Sequence, residues 1–229
     1  MVLSGAGVSA ESGLATFRGP DGLWEGHRVE EVATPEAFAA DPVLVHRFYN
    51  LRRAQLDTVE PNAGHRVLAG LEDRFRVDVV TQNIDDLHER AGSSSVLHLH
   101  GELRLARPVD GGGPPIPWTG DLSVGDTDDR GVPLRPHVVW FGEVVPHMEA
   151  ADALVAAADA VIVVGTSLRV HPAAGLLRRV PEDAPVLVVD PHLPEGARGG
   201  TGRVEAIRLP ATTGLAEARD RLLRLFPRR

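Results

Sequence analysis

An α/β fold, with an open parallel sheet, helices on both faces and a smaller inserted lobe, is what this sequence predicts. Two observations lead there. Short apolar runs of strand length alternate with helical patterns over most of the chain, and that alternation gives a parallel sheet covered on both sides. Two stretches break it: residues 20–64 hold no strand candidate, and residues 102–137 are rich in Gly, Pro and Asp and read as mostly loop. Both read as insertions that build a second lobe, and a cleft between lobes is the default ligand site.

The elements follow in chain order. "MVL" reads as the tail of a first strand. "NAGHRVLAGLEDR" (62–74) is helical and leads into the strand "VDVVT" (77–81). "SVLHL" (95–99) is the next strand. "MEAADALVAAADA" (148–160) is a helix ahead of the strand "AVIVVG" (160–165). "PAAGLLRRV" (172–180) reads as a helix, with Pro172 suited to its first turn. "VLVVD" (186–190) and "VEAIRL" (204–209) are strands, and "TTGLAEARDRLLRLF" (212–226) is the closing helix. Sheets of this kind bind ligands at the carboxyl ends of their strands.

The bulk numbers exclude several classes. The 229 residues are 43% hydrophobic and 24% charged, an ordinary globular composition. No apolar run approaches the roughly 20 residues that span a bilayer, so no membrane association is expected. "MVLSGAGVSA" has no positive n-region and does not read as a secretory signal. A net charge of −8 argues against nucleic-acid binding, which needs a basic surface. With no cysteine, disulfides and thiolate metal sites are excluded and a cytoplasmic setting is expected.

Polar residues collect at the predicted strand ends. "GAGVSA" (5–10) fits the G-x-G-x-x-G/A phosphate loop of Rossmann-like sheets: Gly5 for the tight turn, Gly7 for close approach of a pyrophosphate, Ala10 for helix packing. The ordinary dehydrogenase pattern then needs a second strand and an acid about 20 residues on. "FRGPDGLWEGHRVEE" is no strand, which disfavours hydride transfer. "TQNIDD" (81–86) crowds Gln82, Asn83 and Asp85 into one turn, where helix capping needs only one such group. In "LHLHGEL" (97–103), His98 and His100 alternate and share a strand face. His100, before Gly101, suits a general base, and no acid or cysteine cluster is spaced to complete a metal site around the pair. "GTS" (165–167) and Asp190 offer hydroxyls and an acid suited to sugar and phosphate. In "FYNLRR" (48–53), Tyr49 and Arg52 share a helix face. They read either as an amphipathic helix with a snorkelling arginine or as a pocket for an anionic group.

Together, "GAGVSAESGLATFRG", "TQNIDDLHERAG", "LHLHGEL", "LRPHVVWFGE", "GTSLRVHPAAG" and "LPATTGL" resemble, in order and over nearly the whole chain, the sirtuins, NAD-dependent protein-lysine deacylases. The resemblance implies a single catalytic domain over 1–229. Its large Rossmann-like lobe comes from 1–19, 65–101 and 136–229, and its small lobe from 20–64 and 102–135. It implies His100, Asn83 and Asp85 as catalytic residues. It implies NAD contacts from Gly5, Ala6, Gly7, Ser9, Thr16, Phe17, Arg18, Gln82, Asn83, Ile84, Asp85, Gly165, Thr166, Ser167, Asp190 and Ala211. An acylated-lysine protein or peptide would add as a strand along Val139, Phe141, Gly142 and Glu143. NAD is consumed as co-substrate, and the products are lysine, nicotinamide and O-acyl-ADP-ribose. A monomer is expected.

The class III branch of the family, which removes succinyl and malonyl groups, has a tyrosine and an arginine at the spacing of Tyr49 and Arg52, and a small residue at Ala33. The physics agrees, because an arginine facing a neutral acetyl group would be an uncompensated charge, whereas a carboxylate makes a charge-assisted pair. The family's four zinc-binding cysteines are missing from 104–135. No zinc is therefore expected, and Trp118, Trp140 and the prolines are expected to hold the small lobe. Asp190 stands where the family usually has asparagine. A non-catalytic NAD or ADP-ribose sensor, and an ADP-ribosyltransferase or NAD hydrolase, are the rival readings.

Overall fold

The computed structural model describes residues 1–15, 26–192 and 204–227. Six parallel strands form the main sheet: β1 (Val2–Ser4), β2 (Val79–Thr81), β3 (Val96–His98), and, after the small-lobe strands, β7 (Val161–Val164), β8 (Val186–Val189) and β9 (Val204–Ile207). Their order is β3-β2-β1-β7-β8-β9. The chain leaves β1 to one side and returns to its other side through β7, so the strand order reverses at β1, where open sheets hold ligands.

Alternation decides which helix covers which face. Leu3, Val163 and Val188 point one way, onto α7 (Met148–Ala156) and the 3₁₀ turns of Ala173–Arg179. Val2, Ile162, Val164, Leu187 and Val189 point the other way, onto α5 (Ala63–Gly70) and α8 (Ala211–Leu225). The strands read as unbroken Val/Ile/Leu runs because both faces are buried.

Residues 26–64 are helical as expected: α2 (Val29–Val32), α3 (Pro35–Ala40) and α4 (Pro42–Leu56). Thr34 and Asp41 cap α3 and α4 by accepting from the Ala37 and Leu44 N–H groups, and each helix starts on a proline.

Two expectations need correction. Residues 102–137 are not mostly loop: β4 (Gly101–Pro108), β5 (Ile116–Pro117) and β6 (Leu134–Val138) make an antiparallel sheet ordered β5-β4-β6. A register shift between Gly101 and Ala106 breaks the alternation of β4, and β6 carries Pro136, which an edge strand tolerates. The segment 172–180 is 3₁₀ rather than α-helix. Trp118 packs with Ile116, Ala106, Leu122 and Leu134, and Trp140 packs in the helical core with Tyr49 and Phe48.

Polar bonds clasp the antiparallel sheet to α4. Asn50 pairs with both backbone groups of Leu122, at 2.9 and 3.0 Å. Arg53, 1% exposed, donates from Nε to the Leu103 carbonyl at 2.7 Å and from Nη1 to the Gly120 carbonyl at 3.1 Å. At the outer tip, the Arg130 guanidinium joins Asp110, Asp128 and the Gly112 carbonyl.

The turns after β1 and β7 touch backbone to backbone. A Cβ on Gly7 would lie 2.7 Å from the Gly165 Cα, and one on Gly165 would lie 2.2 Å from the Val8 nitrogen, at a φ of +61°. Gly165→Ala is expected to cost about 2–3 kcal/mol and lower Tm by about 5–10 °C. Gly70→Ala, in open helical space, is expected to leave Tm unchanged or slightly raised. Thermal denaturation of both variants checks this.

Candidate active site

A cavity of about 580 Å³ opens where the sheet's carboxyl edge faces the small lobe. Gly5, Ala6 and Gly7 line it from the turn into α1 (Gly7–Ala10). Gly165, Thr166, Ser167 and Asp190 line it from the ends of β7 and β8. Gln82, Asn83, Ile84, Asp85 and His100 form its floor. Ala33, Tyr49, Arg52, Val139, Phe141, Gly142 and Glu143 close the far side. Thr16, Phe17 and Arg18 lie outside the described residues. Ala211, expected here, is buried at the start of α8 under the sheet and is not part of the lining.

The floor is held by its own carbonyls. The Gln82 carbonyl accepts from His100 Nδ1 at 2.9 Å, the Asn83 carbonyl from His98 Nδ1 at 2.8 Å, and the Ile84 carbonyl from the Leu103 N–H at 2.8 Å. Three successive acceptors are thus satisfied by one segment, 98–103. Because a carbonyl only accepts, the His100 proton sits on Nδ1, and Nε2 of the neutral ring keeps its lone pair. Burial pulls the His100 pKa below its usual value, against the bond to Gln82, so the ring is neutral at physiological pH. The helix expected after "TQN" is only α6 (Leu87–Arg90), because Asp85 Oδ1 accepts from the Leu87 N–H and holds 83–86 as a turn.

Behind the floor runs a buried network. Ser9 Oγ donates to Asp85 Oδ2 at 3.0 Å and accepts from Asn83 Nδ2 at 3.1 Å. His65 Nε2 lies 3.4 Å from the same hydroxyl, while its Nδ1 accepts from the Asn62 N–H. Ser4 donates to Thr81 Oγ1 at 2.8 Å and accepts from His88 Nε2 at 2.9 Å. Each of these two histidines therefore fits its site in one neutral tautomer. Burial brings His65 down to about 4 and His88 down to about 3, and lifts Asp85 to about 6.

On the far side, the two arginines of "FYNLRR" part company. Arg53 turns into the clasp, while Arg52, 8% exposed, lines the cavity with its guanidinium 4.2 Å above the Phe48 ring. The snorkelling alternative does not hold for either. Tyr49 is fully buried, and its hydroxyl accepts from Trp140 Nε1 at 3.0 Å. Burial raises its pKa, so it stays a neutral phenol. Glu143 faces the cavity but spends its carboxylate on Arg135, Arg107 and the Trp140 N–H, which fixes the 140–143 turn. Arg169 also lines the cavity. The sequence reading missed it, because a lone arginine in a loop carries no periodic signal.

A parallel sheet with a glycine turn at its reversal point, facing a smaller lobe across a polar floor, defines a nucleotide-binding α/β protein. Residues 5–172 match the Sir2 family model, and the chain belongs to that family. An NAD-dependent protein deacylase of Aggregatibacter actinomycetemcomitans is 51% identical over 202 residues, covering 88% of this chain and 97% of its own length. A Sir2 homologue carrying a serine-to-alanine substitution, in complex with ADP-ribose, superposes with a TM-score of 0.88 at 37% identity, over 100% of this chain and 94% of that one. A Sir2 homologue–NAD complex gives 0.86 at 38% identity, over 98% and 89%.

The neutral histidines predict an acid-labile fold. Both rings take up protons more readily when unfolded, so stability should fall as pH drops below about 6.5 towards 4. Asp85, raised to about 6, works in the opposite direction over that window and offsets part of the loss. His88→Gln can still donate to Ser4 without titrating, and should flatten the dependence of Tm on pH between 6.5 and 4.

Proposed function

We propose that this protein removes acyl groups from protein lysines at the expense of NAD, and that it prefers succinyl and malonyl over acetyl groups. The deacylase reading is supported by the family and by the named relatives. The preference is carried by one observation, the placement of Tyr49 and Arg52 on the wall of the same cavity that His100 lines. A buried cation there stabilises a substrate carboxylate through a charge-assisted pair, and the Tyr49 phenol sits on the same wall. Ala33, also on the lining, leaves room for the longer acyl chain.

The fit of NAD rests on the glycine turn, where Gly5, Ala6 and Gly7 line the cavity with almost no side chain beside Thr166 and Ser167. Bound there, NAD supplies a ribose carbon with a cationic leaving group. Gly5–Gly7 with Thr166 and Ser167 would hold its phosphates and ribose, and Asp190 would accept from a ribose hydroxyl. Asn83 and Asp85, fixed through Ser9, would orient the ribose–nicotinamide end. His100 Nε2, its lone pair free, would take the proton of a ribose hydroxyl. The substrate backbone would lie along Val139 and the 140–143 turn, with lysine entering between Phe141 and the floor. Zinc has no part in this reading, which rests on the missing cysteines and the Asn50–Arg53 clasp.

Succinyl- and malonyl-lysine peptides are expected to exceed acetyl-lysine in kcat/KM. Arg52→Met should cut desuccinylation on the order of 10²-fold while acetyl removal persists. An enzyme that removes acetyl groups better than succinyl, or an Arg52→Met variant with full desuccinylase activity, would contradict the preference. His100→Ala should lower turnover by about 10²–10⁴ with NAD binding retained, read by single-turnover kinetics and calorimetry. Wild-type turnover in that variant rules out His100 as the base.

A further inference from the structure

His98 does not line the cavity, yet its ring has an arrangement that fixes its protonation by geometry. Its Nδ1 lies 2.8 Å from the Asn83 carbonyl and its Nε2 lies 2.8 Å from Glu89 Oε1. A carbonyl and an ionised carboxylate only accept, so both ring nitrogens must donate, and only the doubly protonated ring does so. We infer that His98, held as an imidazolium by Glu89, is a positioning residue that pins the Asn83 carbonyl and with it the floor of the active site. The inference rests on the reading of the cavity as the NAD-dependent deacylation site.

The consequences follow from chain connectivity. Asn83 lies between the carbonyl that orients His100 and the Ile84 carbonyl that Leu103 holds. Its N–H donates to Thr81 and its side chain to Ser9. Of the bonds to the 82–84 carbonyls, His100's and His98's come from imidazoles, and only His98's is braced by a carboxylate. The neutral ring has one N–H, and the carboxylate competes with the carbonyl for it. Deprotonation therefore costs one of the two bonds, either the brace or the pin itself. A small rotation at Asn83 displaces both its amide and the Gln82 carbonyl, so His100 is moved indirectly.

The surroundings favour the charged ring. Burial alone would lower the His98 pKa, but the Glu89 bond and charge, the Asn83 carbonyl and the Glu102 charge together raise it above its usual value. His88 on α6 and His137 on β6 also face it, and burial keeps both neutral. Asp85 in the floor turn is the remaining neighbour, and its charge also favours the imidazolium. A base whose pKa is raised by the fold contributes stability that is complete below the unfolded value and disappears as pH rises through the folded value. The pin is thus secure below the raised His98 pKa and released as pH rises through it.

The test combines ¹⁵N NMR of histidine-labelled protein with pH–rate profiles of wild type, Glu89→Gln and Glu89→Asp. Glutamine can donate to Nε2 of a neutral ring and so keeps the pin without the imidazolium, whereas aspartate keeps the charge. In the wild type, both His98 nitrogens should be protonated at pH 7. In the wild type kcat for nicotinamide release should fall about tenfold as pH rises through the His98 pKa; in Glu89→Gln that alkaline limb should disappear, with KM for NAD changing less. Glu89→Asp, which keeps the carboxylate, should keep the alkaline limb. A wild-type His98 carrying one proton at pH 7, or a Glu89→Gln pH profile that overlays the wild type, overturns the inference while leaving the deacylase reading intact. An inactive wild type whose His98 carries two protons overturns the deacylase reading instead, and with it the catalytic role of the pin.

Discussion

Backbone presses on backbone where β1 and β7 end. Gly5, Gly7 and Gly165 leave no room for a side chain between the two turns, and the Gly7 N–H donates to the Gly165 carbonyl at 2.8 Å. This contact brings the phosphate-loop turn beside "GTS", and so makes one continuous edge from two strands far apart in sequence. The remaining strands extend the edge on each side. The floor turn 82–85 then reaches the glycine turn through Ser9, and Gln82 reaches Thr166 by a bond of 3.0 Å. Shifting the contact would separate all of these groups together.

The small lobe is tied to this edge through α4 and the 138–143 segment. Trp140 joins the two, giving its indole N–H to Tyr49 while its ring lies 3.2 Å from the Arg135 guanidinium carbon. The Glu143 carboxylate neutralises Arg135 and Arg107 and caps the turn. The acyl wall is therefore assembled from a helix and a loop whose mutual placement depends on buried polar bonds. Asn50 and Arg53 carry out the same task on the helix's other side. One helix thus presents Tyr49 and Arg52 to the cavity and Asn50 and Arg53 to the antiparallel sheet.

Much of this was legible in the sequence. The parallel strands showed as Val/Ile/Leu runs because both of their faces are buried. The glycine turn, the crowded "TQNID" and the Tyr49–Arg52 spacing are local patterns whose geometry follows from one turn of chain. The antiparallel sheet was not legible, since a register shift interrupts β4 and an edge proline disguises β6. Arg53 could not be told from Arg52, because its partners Leu103 and Gly120 lie 50 and 67 residues away. The role of His98 was hidden too, because its second acceptor, Glu89, comes from another element.

Coupling of the nucleotide edge to the acyl wall is the feature on which the functional reading turns. Nicotinamide release from NAD by the purified protein, with and without a succinyl-lysine peptide, measures that coupling directly. Release should depend on the peptide and appear in equal amount with free lysine. Release at the same rate without peptide would show an NAD hydrolase, and no release in either case would show a pocket that only binds.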